Sequence, residues 1–257
     1  MQEKDSFIKR ISIFLIGFLG LTFLVYIFSY LGIFKLLFKV FSVDIFNKKV
    51  EFNMNINVIL NYSIYFTIFF IIILIINKSD VKEFLLGFKV ADNIKEGIAF
   101  GVILIAFSLV YQNLLRLIIP ITENQNQTGV NNIILNNPLL ATVTVAIIGP
   151  VVEEFTYRYG LFGSIRKFNR VASYVVTIIV FALIHFNYSA DSSTLLNEIL
   201  NLPPYLFAAF ILCYAYDTRS LTCSTVAHIF NNGYSVIMLL PSSLRSPFRF
   251  VISIGLT

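Results

Sequence analysis

Charge is what this sequence has least of: 13% of its 257 residues are Asp, Glu, Lys or Arg, while 57% are hydrophobic. A soluble domain usually carries about 25% charged residues, so a water-soluble fold of this size has no means of covering so much apolar surface. Tryptophan is absent, and histidine and cysteine occur twice each, as His185, His228, Cys213 and Cys223. Two isolated thiols with no CxxC spacing exclude a disulfide framework and a cysteine-based zinc site, and both read as packing residues. The histidines form no HExxH pair, which removes the commonest zinc-protease pattern. The net charge of +5 comes from basic residues scattered singly and in pairs, not gathered into a patch, so no nucleic-acid partner is expected.

What is present is a series of long apolar runs, and the mean hydropathy is +0.81. An α-helix needs about 20 apolar residues to cross roughly 30 Å of hydrocarbon. The runs predict an all-α, polytopic transmembrane bundle of about seven to eight spans, near 11–34, 57–77, 97–119, 138–160, 171–187, 202–217 and 221–240. The eighth element is a short apolar tail, 248–256, which does not count as a span on its own. We divide the single membrane domain into N-terminal helices and interfacial segments (1–136), a core (137–240) and a C-terminal tail (241–257). Lys4, Lys9 and Arg10 precede the first run, but that run is long and has no small-residue cleavage site. It therefore reads as a retained helix and not a signal peptide.

Lys and Arg in short loops favour the cytoplasm. Lys78, Lys82, Lys89 and Lys95 precede the third run, and Arg166, Lys167 and Arg170 separate the fourth and fifth, whereas 120–137 and 188–201 contain neither residue. The expected location is the cell membrane with a cytoplasmic N-terminus. Lys35, Lys39, Lys48 and Lys49 run against this scheme, and interfacial stretches are expected at 35–55 and 79–96.

An ionisable group inside a span is costly and marks a functional site by default. The sequence offers Glu153, Glu154 and Arg158 in the fourth run, His185 in the fifth, and His228 with Asn232 in the seventh. Glu154 and Arg158 are four apart, which sets them on one helix face as an ion pair and leaves Glu153 pointing about 100° away. Gly149-Pro150 just before them is a signal for a kink that opens polar space at depth. Glu153 and His185 each lie about 16 residues from the basic turn between their runs, so at 1.5 Å per residue both sit roughly 20 to 24 Å from it.

If these groups converge, they supply a peptidase without a covalent nucleophile. Glu153 takes a proton from a water that His185 orients, and His228 and Asn232, four apart on one face, donate to the oxyanion.

The same residues carry a family resemblance. Glu153-Glu154-x-x-x-Arg158, then Phe181-x-x-x-His185, then His228-x-x-x-Asn232, in that order over residues 137–240, resemble the CPBP family of CAAX-processing and bacteriocin-processing membrane proteins, the Abi-type intramembrane glutamic endopeptidases. The resemblance implies a helical membrane fold, the first glutamate as general base, the histidines and asparagine assisting, and peptide or membrane-anchored protein substrates within the lipid bilayer. It implies no cofactor. One departure is Tyr157-Arg158-Tyr159-Gly160, where the family often has Phe-Arg-Gly.

Two other readings stay open at this level. Two histidines and a glutamate can hold zinc with an open position, which would make the peptidase metal-dependent. A non-catalytic membrane protein, serving bacteriocin self-immunity or envelope regulation, would keep the same motifs. The remaining polar residues receive structural readings: Tyr26, Tyr30, Tyr62 and Tyr65 as interface anchors or packing residues, and Asn113 with Arg116 near the outer interface. Substrate identity and oligomeric state are not legible.

Overall fold

The computed structural model describes residues 2–30, 56–122, 124–136, 138–188, 190–191 and 194–240. The expected interfacial stretch at 35–55, the tail from 241, and the side chains of Tyr26, Tyr30 and Tyr62 lie outside the described residues. Among those described, every regular element is a helix. The helices are α1 (Gln2–Tyr30), α2 (Ile56–Ile75), α3 (Lys78–Gly87), α4 (Ala91–Ile118), α5 (Gln125–Asn136), a composite α6 over 138–166, α7 (Arg170–Leu183), α8 (Leu195–Leu200), α9 (Leu202–Thr218) and α10 (Leu221–Leu239).

Among the described residues two stretches are long and apolar enough to cross a membrane, Ala91–Ile118 and Leu195–Thr218. A third qualifies if α2 and α3, bent by 116°, count as one broken span. Exposed residues such as Leu74 (84%), Leu117 (82%) and Ile118 (77%) have no neighbour to cover them, and lipid is the solvent in which that exposure costs nothing. The protein is therefore a membrane protein. The helices α6 and α10 hold the polar side chains of the interior, which dilutes their apolar content.

The interior is built by periodicity. Ile64, Ile68 and Ile72 on one face of α2, with Ile76 just past its end, recur every four residues and pack with Ile13 of α1 and Val152, Phe155 and Tyr159 of α6. The α4–α10 pair relies on glycine: a Cβ at Gly97 would lie 2.7 Å from the Val226 side chain, and one at Gly101 would lie 2.9 Å from Phe230. Small residues let the two backbones approach, as is usual between membrane helices. Gly160 does the same for α6 against α1, where a Cβ would stand 2.9 Å from the Phe14 backbone nitrogen. The departing Tyr159 is accommodated beside it: its hydroxyl bonds Asp80, and the Arg10 guanidinium lies 4.5 Å from its ring centroid.

Two expectations need refinement. The run at 138–160 is one helix to Arg166, yet it passes through Pro150 without breaking. The irregularity is carried instead by two π segments, Thr144–Ile148 and Glu154–Phe162, on either side of Gly149–Glu153. A π turn adds a residue and relaxes the ladder without a proline kink. The run at 171–187 ends as helix at Leu183, and the His185 amide already closes a turn onto Ala182 O at 3.1 Å.

At one end of the bundle the chain is pinned by ions. Asp217 accepts from Arg166 at 2.7 Å and Arg170 at 2.8 Å, and Arg219 pairs with Glu96. The turn after α9 is thus tied to α4 and to the start of α7. Asn169 caps α7 by accepting from Ala172 N at 2.9 Å, and Ser220 caps α10 by accepting from Cys223 N at 3.1 Å, which satisfies one free amide at each helix start. Both cysteines are buried and unpaired.

Candidate active site

The second π segment begins at Glu154, and this is where the polar groups gather. Glu154 and Arg158 are fully buried and paired, Nη1 to Oε1 at 3.0 Å. The Arg158 guanidinium also lies 4.4 Å from the Phe181 ring centroid, a contact that desolvated Arg favours. Beside that ion pair, Glu154 Oε1 makes a hydrogen bond of 2.8 Å with His228 Nδ1 on α10. A carboxylate paired with Arg can only accept, so His228 Nδ1 carries the hydrogen. The other edge of that ring, Nε2, lies 3.8 Å from Glu153 Oε2. His228 therefore bridges the two glutamates, and Glu154 is what turns it.

Glu153 is the carboxylate that remains partly open, its side chain 13% exposed against 0% for Glu154. Its Oε1 accepts a hydrogen bond of 3.1 Å from the Tyr65 hydroxyl on α2. Gly149, one turn before Glu153, faces the Tyr65 ring, with its Cβ position 3.6 Å from Tyr65 Cε1. His185 comes from the turn after α7. Its Nδ1 is 2.8 Å from Phe181 O, and a carbonyl can only accept, so Nδ1–H is committed and Nε2 is the acceptor of the neutral ring. The ring is held between Phe181 (4.9 Å) and Tyr205 (4.5 Å, stacked).

Asn232 is held by two hydrogen bonds of its own. Its Nδ2 donates to Val145 O at 3.1 Å and its Oδ1 accepts from Asn231 at 3.1 Å. Val145 lies in the first π segment, whose altered ladder leaves a carbonyl for a side chain. One amide hydrogen of Asn232 is thereby spent on positioning, and one is left for a ligand.

Glu153, His185, His228 and Asn232 all line one cavity of about 360 Å³, together with Tyr65, Thr144 and the first turns of α5. That volume is in the range of ligand sites, about 300 to 1,000 Å³. Among the described residues no group of three His, Cys, Asp or Glu side chains is arranged to hold a metal ion.

Tyr65, Thr144 and the α5 wall were not singled out for chemistry from the sequence. Tyr65 sits in an apolar helix with no spacing to tie it to Glu153, 88 positions on. For Thr144 and α5 the signal was only polarity inside or beside an apolar run.

The fold and site define a helical membrane protein with a buried Glu154–Arg158–His228 cluster beside a cavity that Glu153 and His228 line. Residues 135–234 match the family model described as Type II CAAX prenyl endopeptidase Rce1-like. The Membrane-embedded CAAX protease MroQ of Staphylococcus aureus (strain USA300) is 31% identical over 111 residues, 39% of this chain and 40% of that protein. The match thus spans about 40% of the length of the curated relative. No solved structure matches the chain. The matched segment 135–234 contains Glu153, Glu154, Arg158, His185, His228 and all three motifs, and over that segment the chain is similar to CAAX proteases of the CPBP type.

Proposed function

We propose that this protein is an intramembrane endopeptidase that hydrolyses membrane-associated peptide or protein substrates with water activated by Glu153. The observation that carries the reading is the division of labour between the glutamates. Glu154 is sealed and neutralised by Arg158, while Glu153 faces the cavity across from a histidine whose acceptor nitrogen is uncommitted.

In the reaction Glu153 takes one proton from water, which His185 Nε2 orients by accepting the other hydrogen. The water oxygen bonds the scissile carbonyl carbon, and the carbonyl electron pair moves onto its oxygen. His228 and the remaining amide hydrogen of Asn232 stabilise that oxyanion. Glu153 then passes its proton to the amide nitrogen as the C–N bond breaks. Tyr65 is a positioning residue, because its hydrogen bond to Oε1 leaves Oε2 for the water. Glu154 and Arg158 organise the site, and no cofactor takes part.

We place the protein in the membrane as a multi-pass bundle of seven to eight spans with the N-terminus in the cytoplasm. Lys78, Lys82, Lys89, Lys95, Arg166, Lys167 and Arg170 support this orientation.

The test is cleavage of membrane-anchored peptides by the purified protein in liposomes. Glu153→Gln is expected to lower kcat by about 10² to 10⁴, the contribution of a general base, with and without chelator alike. Chelator-sensitive cleavage would move the chemistry to a metal, and full biological function in Glu153→Gln would leave a non-catalytic immunity or regulatory role.

A further inference from the structure

The wall of the cavity opposite Glu153 is built to a pattern of its own. It is the start of α5, where Gln125, Asn126, Gln127, Gly129 and Val130 face the opening. The helix start is fixed from two sides. Asn124 caps it by accepting from Gln127 N at 2.9 Å, and the buried Glu198 accepts from Gln125 N at 3.1 Å and from Asn187 N at 3.2 Å. The rim is therefore held in place between α5, α8 and the turn that carries His185. Gln127 is further oriented by donating to Asn131 at 2.8 Å.

Two features of this wall point to a ligand. Thr144 is 3% exposed, lines the cavity, and its hydroxyl makes no hydrogen bond among the described residues. A buried hydroxyl without a partner carries a desolvation cost that a bound ligand's polar group removes. The second feature is charge: Glu153 is the carboxylate at the cavity, and no described lining residue is Lys or Arg. Arg158, close to the site, is fully buried and paired with Glu154.

We propose that Thr144 and the carboxamides of Gln125, Asn126, Gln127 and Asn231 form a neutral subsite for the main chain of an extended, uncharged peptide segment. It excludes acidic side chains from the neighbourhood of the cut and does not read a substrate's C-terminal carboxylate. Carboxamides and a hydroxyl both donate and accept, which matches a peptide backbone's alternating N–H and C=O. A carboxylate brought here meets Glu153 with no Lys or Arg among the described lining residues to offset it, and a like charge at short range in a poorly solvated cavity is strongly disfavoured. This refines the endopeptidase reading and rests on it for the position of the cut.

The experiment uses a randomised nonapeptide joined to one transmembrane anchor and carried in liposomes of neutral lipid, prepared with a C-terminal carboxylate or carboxamide. Binding to Glu153→Gln is read by fluorescence anisotropy, and cleavage by wild type is read by sequencing the products. The expected result is equal use of acid and amide pools, with Asp and Glu depleted about tenfold within two residues of the cut. Thr144→Val is expected to raise KM about fivefold with kcat unchanged, the effect of one hydrogen bond to substrate. Asn126→Lys with Gln127→Lys is expected to restore acidic sequences among the products.

A requirement for the free carboxylate, indifference to Asp and Glu, or failure of every pool to bind would overturn the proposal. Neutral peptides bound in preference to acidic ones but never cut would leave the subsite standing and remove the peptidase.

Discussion

At the scale of single residues, the site turns on two glutamates with unlike neighbours. Glu154, His228 and Arg158 form a chain of charge-assisted contacts with no exposed member beyond 7%. Removing one partner of a buried pair strands the other charge, which costs about 3 to 5 kcal/mol. Arg158→Leu is therefore expected to lose most of its resistance to thermal unfolding, while Arg158→Leu combined with Glu154→Leu recovers a large part of it. Melting of the three proteins in detergent checks this; additive losses would show that the pair is not coupled. Tyr65→Phe is expected to lower kcat about three- to tenfold with KM and melting temperature unchanged, since it deletes one hydrogen bond to Glu153 and no packing. A change in KM alone would show that Tyr65 contacts substrate and does not position the glutamate. The motif residues were legible because ionisable groups are so rare in apolar runs that each stands out. Tyr65 was not, since a tyrosine in a membrane helix has several ordinary uses and its partner is 88 positions away.

At the scale of elements, the sequence predicted helices from apolar run length, and helices are what form. What it did not predict is how α6 stays continuous. Gly149-Pro150 reads as a kink, yet the preceding turn opens into a π segment, so the missing proline N–H does not interrupt the helix. The π segments set the phase of everything that follows, and Val145 O is available to Asn232 because of the first one. Deleting Ile147, whose side chain faces outward, would convert that segment into ordinary α-helix. About 100° of rotation then separates Thr144 and Val145 from Glu153 relative to the present arrangement. Loss of cleavage with helix content by circular dichroism unchanged is the expected outcome. Retained activity would mean that neighbouring turns absorb the deletion and that the π geometry is not required.

At the scale of the whole molecule, the cavity and the basic end lie apart along the bundle. Asp217 with Arg166 and Arg170, and Arg219 with Glu96, gather at one end, while the cavity is closed by α5 from a stretch, 120–137, without Lys or Arg. In the orientation proposed from the distribution of positive charge the basic end is cytoplasmic, and the cavity would then open toward the outer half of the bilayer. The substrate would then be a peptide segment reaching that side, not a chain ending in the cytoplasm. Gly129 and Phe168 report on the two ends: Gly129 has open space at its Cβ, and Phe168 is 77% exposed. The native thiols, Cys213 and Cys223, are buried and should give little background. In intact cells an impermeant maleimide is expected to label Gly129→Cys without permeabilisation and Phe168→Cys only after it. The reverse pattern would turn the protein over, place the neutral rim in the cytoplasm, and make a cytoplasmic chain terminus the substrate that the cavity is positioned to receive.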